Sequence, residues 1–415
     1  MRRMSPLMTI LPASQKLAAS PLAPGFRGAT AACGLKPSGA LDLALVWSDH
    51  ACTAAGIFTT NRVQAAPVVL DRECLARSAR DIRGVIANSG CANAVTGPRG
   101  LEDARRMAEL AAARIGASPG QMLVLSTGVI GVHLDMTKLT AGIEALGGAE
   151  SQTDPDLVAR AVMTTDTRPK TAEKTVALQG GTVTLRGFAK GAGMIHPNMA
   201  TMLALVTTDA KVEPALLDRA LRASADRSFN RISVDGDMST NDTLLVLASG
   251  AAGVEVGEAE FAAFTAALTE VCAALAKQIA RDGEGATRLV EIVVHGARTE
   301  AEAHKVADTI GLSPLVKTAI HGNDPNWGRL LAAAGYSGVE IDPAKVRLTF
   351  GDAGEAITLL ERGMPVPFDR AAASKMLARD PSLIRLDLGM GEASATVWTC
   401  DFSAEYVRVN AEYTT

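Results

Sequence analysis

Residues Lys190 to Asp209 read KGAGMIHPNMATMLALVTTD, a basic, glycine-rich loop that runs into an apolar strand opening on Thr201. The seam lies near the middle of 415 residues, between the small Ala200 and a hydroxyl. A threonine hydroxyl is a poor nucleophile unless a base stands beside it, and one solution is to make the threonine a chain terminus. Its α-amine, with a reference pKa of about 7.7–8.0, is then partly unprotonated near neutral pH. Making such a terminus inside a chain requires cleavage. The hydroxyl can do this itself by attacking the preceding carbonyl, which a residue as small as Ala200 leaves open. The plain alternative is a threonine that opens a strand because it is β-branched.

Outward from this seam, helical and strand periods interleave in both directions, which predicts α/β or α+β layering. Before it, LDLALVWS, AAGIFTT and AAPVVLD read as short strands, RGVIANSGCANAVTG as a strand entering a loop, and QMLVLSTGVIG as a buried strand ending at Ser126-Thr127-Gly128. Helices are expected near 100–116 and 136–147. After it, MLALVTTDA, TLLVLASG and TRLVEIVVHGA read as strands, with helices near 257–281, 299–310 and 325–336. Further strands are expected near 346–350, 383–389 and 394–409.

Composition narrows the function classes. Hydrophobic residues make up 47% of the chain and aromatics only 4%, which suits a compact layered protein; a formal charge of −4 without a basic arm argues against a nucleic-acid partner. No apolar run reaches the roughly 18–20 residues of a membrane span; FAAFTAALTEVCAALAKQIA is interrupted by Glu270 and Lys277 and reads as a buried amphipathic helix. The six cysteines form no C-x-x-C pair, so reduced thiols and a cytoplasmic location are expected. Arg2, Arg3, Lys16 and Arg27 without an acid in the first forty residues suit either a mitochondrial transit peptide or a short bacterial leader.

Common site templates fail. There is no G-x-x-x-x-G-K-[ST], no H-E-x-x-H and no G-x-S-x-G, and the six histidines keep no metal-ligand spacing. Asp235, Asp237 and Asp242 in SVDGDMSTND could bind a divalent ion, but capping aspartates in a turn are the simpler reading. Cys91 in NSGCANA has no basic neighbour in sequence to activate it and reads as a structural thiol.

The blocks APGFRGATAACGLKPSG, TAAGIFTTNRVQAAPV, IANSGCANA, LVLSTGVIG, MTTDTRPK, KGAGMIHPNMATMLA, ISVDGDMSTNDT, RDGEGATRL, SPLVKTAIHGNDPNWGRLLAAAGYSG and YVRVNAEYTT occur in this order. From about residue 20 to the last residue, this series closely resembles the ornithine acetyltransferase family, the glutamate N-acetyltransferases of the cyclic arginine pathway. The resemblance implies a layered α/β/β/α fold similar to that of self-processing aminopeptidases. It implies self-cleavage at Ala200-Thr201 into an α piece, 1–200, and a β piece, 201–415, assembled as an (αβ)2 heterotetramer. Thr201 then becomes the nucleophile, with Thr127 and Gly128 matching the family's oxyanion site. Thr167, Lys190, Thr201, Glu284, Asn410 and Thr415 match its substrate contacts.

The implied reaction moves acetyl from N-acetylornithine to Thr201 and then to glutamate, with no cofactor; acetyl-CoA stays open as a second donor. Both ligands share an α-carboxylate and differ in side-chain charge. Lys190 is therefore expected at the carboxylate and Glu284 towards the δ-ammonium. Met238 and His321 depart from the family pattern without touching an assigned role. Two readings compete: an N-terminal-threonine amidase or aminopeptidase with water as acceptor, and a non-catalytic regulatory homologue with an uncleaved chain.

Overall fold

A computed structural model describes residues 20, 22–146, 155–196, 202–352 and 354–412. Its first half is organised around one long strand. β2 (Leu43–Phe58) pairs through Leu43–Trp47 with β3 (Ile82–Cys91), and after a register break through Thr53–Phe58 with β9 (Thr243–Ala248). β2 therefore belongs to two sheet halves. The first half adds β1 (Phe26–Ala31) beside β2 and β4 (Met122–Val129) parallel to β3. The second runs β9, β7 (Leu203–Thr208), β6 (Gly181–Lys190), β5 (Lys170–Leu178).

Side-chain alternation explains why these halves stack. Successive strand residues point to opposite faces. Leu203 and Leu205 of β7, with Leu245 and Leu247 of β9, share a core with Leu43, Leu45 and Ile86 of the first half. Their neighbours Ala204, Val206, Leu244 and Val246 instead join a second core with α5 (Pro214–Ala225) and α6 (Phe261–Arg281). On the first half pack α1 (Ala66–Arg77), α2 (Gly97–Ile115), α3 (Met136–Ala145) and α4 (Val158–Ala161). Helices, sheet, sheet and helices give the expected α/β/β/α layering. β7 and β9 are buried on both faces, so each holds an unbroken apolar run, Leu203–Val206 and Leu244–Ala248. α6 is the one described helix long and apolar enough to cross a membrane, and its apolar stripe of Phe264, Leu268, Leu275 and Ile279 lies in the second core.

The remaining chain forms a smaller sheet, ordered β14 (Met364–Pro365), β13 (Ile357–Glu361), β12 (Arg347–Phe350), β15 (Ser382–Asp387), β11 (Leu289–Ala297), β16 (Ala393–Cys400). It encloses a third core with α7 (Glu300–Leu312), α8 (Pro314–His321), α9 (Trp327–Gly335) and α10 (Arg370–Leu377). β8 (Lys211–Val212) and β10 (Glu255–Val256) make a two-residue parallel pair, and α11 (Ala404–Glu412) closes the described chain.

Two expectations are corrected. AAPVVLD is not a strand but the first turns of α1, because Pro67 sits near its start, where proline's fixed φ favours a helix. The strand expected over 394–409 ends at Cys400. Beyond it, Ser403 accepts the Glu405 N–H, Arg408 pairs with Glu405 and Glu412 one turn either side, and Phe402 stacks on Tyr406. These i, i+3 and i, i+4 contacts favour a helix over the β-branched alternation of YVRVN. β6 and β7, on the two sides of the 200/201 boundary, pair antiparallel within one sheet.

Candidate active site

The ends of parallel β3 and β4 build one wall. Ser89 faces Thr127 in register and Gly90 faces Gly128. Ser126 Oγ donates to Asn88 Oδ1 at 2.6 Å, and Asn241 Nδ2 donates to the carbonyls of both Ala92 (2.7 Å) and Ser126 (2.8 Å). A side-chain amide from the segment before β9 thus fixes the two strand ends. Gly128 has φ +134°, and a Cβ there would lie 2.3 Å from the Gly90 carbonyl carbon and 2.5 Å from the Cys91 nitrogen. Only glycine fits, so this hairline approach sets the position of the Gly128 amide.

Opposite, β6 ends in Lys190, which is buried with its Nζ 3.2 Å from Thr127 Oγ1. Burial pushes this ammonium's pKa down and Lys170 adds to the effect, while Asp166, Glu284 and Asp242 oppose it. The loop after α6 brings in Glu284, whose N–H donates to the Ala192 carbonyl at 2.8 Å and whose Oε2 accepts Asn410 Nδ2 at 2.8 Å. A Cβ on Gly193 would stand 2.4 Å from the Glu284 carboxylate, so the glycine leaves room for it. Thr127, Gly128, Lys190, Gly193, Glu284 and Asn410 line one open cleft together with Thr164, Thr165 and Asn241.

Asp235 and Asp242, possible ion ligands by sequence, hold backbone instead. Asp235 accepts the N–H groups of Met194 (2.6 Å), Ile195 (2.8 Å) and Asp237 (3.3 Å). Asp242 accepts the Met202 N–H at 3.0 Å, and the Met202 carbonyl accepts the Thr243 N–H at 3.0 Å. Both flanks of the 197–201 stretch are therefore pinned by carboxylates, half-buried Asp235 and buried Asp242, each pushed up in pKa by burial. Among the described residues no three potential metal ligands cluster. Ala200, Thr201 and Thr415 lie outside the described residues.

Thr167 does not line this cleft but a neighbouring one, which shares Thr165 and Glu284 with it, and both its N–H and its hydroxyl donate to Asp282. Cys91 Sγ donates to the Val132 carbonyl at 3.2 Å, and burial pushes its pKa up, as befits an unreactive thiol. Asn241, Thr164 and Thr165 had not been singled out. Asn241 works by contacts more than a hundred residues away in sequence, which no local pattern reports.

Comparison with known proteins adds the following. The model of the ArgJ family matches residues 27–415. The chain is 50% identical to the arginine biosynthesis bifunctional protein ArgJ of Symbiobacterium thermophilum, over 94% of this chain and 97% of that protein. It is 45% identical to the mitochondrial protein of the same name from Heterostelium pallidum, over 94% of each chain. A crystal structure of ornithine acetyltransferase complexed with ornithine, from Mycobacterium tuberculosis, is 40% identical; it covers 44% of this chain and 95% of the solved one, with a TM-score of 0.39.

Proposed function

Since this chain belongs to the ArgJ family, we propose that it carries acetyl from N-acetylornithine to glutamate by way of Thr201, after cutting itself between Ala200 and Thr201. One observation carries the reading. Thr127, Gly128, Lys190, Glu284 and Asn410 converge on one cleft, which Met194, held by Asp235 ahead of 197–201, also lines.

In the first half-reaction the Thr201 hydroxyl attacks the acetyl carbonyl and its own α-amine takes the proton. The Gly128 amide and the Thr127 hydroxyl wall suit the oxyanion of the tetrahedral intermediate, a role worth about 2.7–4 kcal/mol per donor. The C–N bond then breaks, ornithine leaves as the protonated amine, and an acetyl ester remains on Thr201. Glutamate's α-amine attacks that ester, yielding N-acetylglutamate and restoring the hydroxyl.

Charge assigns the binding roles. Lys190 has three donors and gives one to Thr127 among the described residues, leaving capacity for the α-carboxylate that both ligands share. Glu284 turns a carboxylate into the same cleft, where it suits the δ-ammonium of ornithine. Thr167, Arg281 and Asp282 line a neighbouring cleft that shares Thr165 and Glu284 with this one. The name bifunctional carried by the relatives supports acetyl-CoA as a second donor, and the pieces 1–200 and 201–415 would pair again as (αβ)2.

Intact mass of the denatured protein beside Thr201→Ala tests the reading first. Two fragments divided after Ala200 in the wild type, with one chain in the variant, are expected. A single chain in both would remove the nucleophile from the scheme.

A further inference from the structure

A second set of charges, wholly buried, lies behind the cleft and takes no part in the scheme above. Asp166 Oδ1 accepts Lys170 Nζ at 2.6 Å and the Gly191 N–H at 2.7 Å, while Oδ2 accepts the Thr164 N–H at 3.0 Å. Lys170 Nζ donates equally to Asp282 Oδ2 at 2.6 Å, and Asp282 holds Thr167. One carboxylate thus binds the residue after Lys190 and the loop that supplies Thr164 and Thr165 to the cleft. Its lysine partner reaches the loop that supplies Glu284.

Burying three such charges is costly, and replacing a buried ionic cluster by apolar residues of similar volume is often neutral or stabilising. Stability alone therefore explains this cluster poorly. Its place beside Lys190 gives a better account. Lys190 meets Lys170 and Lys36 as like charges, and Asp166, Glu284 and Asp242 as opposing ones. Glu284 and Asp242 are poor counter-charges: the first is to engage ligand, and burial pushes the second towards its neutral form. Asp166 is different. Burial pushes it up, but Lys170, Lys190 and the Gly191 N–H together bring it below the usual carboxylate range, so it stays ionised.

We propose that Asp166, held by Lys170, is the positioning residue that keeps Lys190 a charged carboxylate anchor and aligns the Thr164 and Glu284 loops around it. The inference rests on the proposed role of Lys190.

The test is the pH dependence of kcat/KM for N-acetylornithine between pH 6 and 10, in folded variants checked by thermal melting. Asp166→Asn removes the counter-charge, so the alkaline limb should move down by about one to two pH units. Lys170→Met removes a like charge and should move it up. In Asp166→Asn/Lys170→Met the two effects oppose, and the limb should return to within about half a unit of the wild type. If one single variant fails to fold, the other and the double still give opposed expectations. A purely structural cluster would lower kcat/KM at every pH and leave the limb in place; that result, or shifts of one sign in both single variants, overturns the inference. Lys190→Ala separates the two levels. If it leaves kcat/KM unchanged, the anchor reading fails and takes the inference with it; if it costs at least tenfold while the limb stays fixed in the other variants, the inference alone fails.

Discussion

Gly193→Ala isolates the Glu284 carboxylate with a single methyl group. Gly193 lies outside the left-handed region, so alanine suits its backbone. The new Cβ would sit 2.4 Å from Glu284 Cδ and Oε2 and 2.6 Å from Oε1. Ordinary contact begins near 3.4 Å, so the carboxylate must retreat by 3.4 − 2.4, about 1 Å. The obstacle is the far end of a flexible side chain, which can move without dragging the backbone. Stability should therefore change by less than about 1 kcal/mol, helped by the lower entropy of the unfolded alanine chain. The retreat nevertheless loosens the 2.8 Å bond from exposed Asn410, which water can replace, and removes the charge from its place in the cleft. A hydrogen bond from the donor's δ-ammonium to the Glu284 carboxylate would contribute about 1.5–3 kcal/mol, and its loss corresponds to roughly a 10- to 100-fold drop in kcat/KM for N-acetylornithine. Steady-state kinetics of each half-reaction, beside a melting curve, provide the assay. Donor kinetics within twofold of the wild type would refute the placement of Glu284. So would a drop in Tm beyond about 4 °C, which would mean that the loop itself had given way.

Glu284→Gln keeps the shape and removes the charge, and should weaken use of N-acetylornithine more than use of glutamate; equal losses in both half-reactions would sink the assigned role. Asp71 tests the scaffold. Its Oδ1 accepts the Val124 N–H at 2.8 Å, its Oδ2 is buried without a partner, and burial pushes its pKa well above the usual range. A raised carboxyl contributes stability below its unfolded value of about 3.9 and loses it as pH rises towards the folded one. Urea midpoints from pH 4.5 to 7.5 should fall for the wild type relative to Asp71→Asn. Parallel curves would exclude the linkage.

This acyltransferase of arginine biosynthesis was legible where signals are local. The apolar runs at β7 and β9 announce strands because each is buried on both faces. The strand ending at Ser126-Thr127-Gly128 reads from a similar apolar run, whereas Lys190 and the roles of Thr127 and Gly128 come only from the family resemblance. A valine-rich run does not reveal whether the proline ahead of it opens a turn or a helix, so α1 reads as a strand. The last helix reads as strand because local β propensity is visible in sequence, while the stacking and ion pairs that outweigh it are not. Asp166 and Lys170 stand four apart in MTTDTRPK, yet nothing local distinguishes them from solvated charges; only the closure of β5 against α6 and Asp282 buries them. Asn241 belongs to the same class of long-range contacts.

The position of β7, laddered to β6 on one side and β9 on the other, changes what a cut at 200/201 would mean thermodynamically. A break in a surface loop alters little, but here the two products would share one sheet and the core beneath it. Native buffer would not part them. Unfolding would change order, however: one folded particle would yield two independent chains, so the midpoint would climb with protein concentration as it does for an obligate dimer. Maturation would then act as a ratchet, with folding guided by a covalent tether that the finished molecule no longer has.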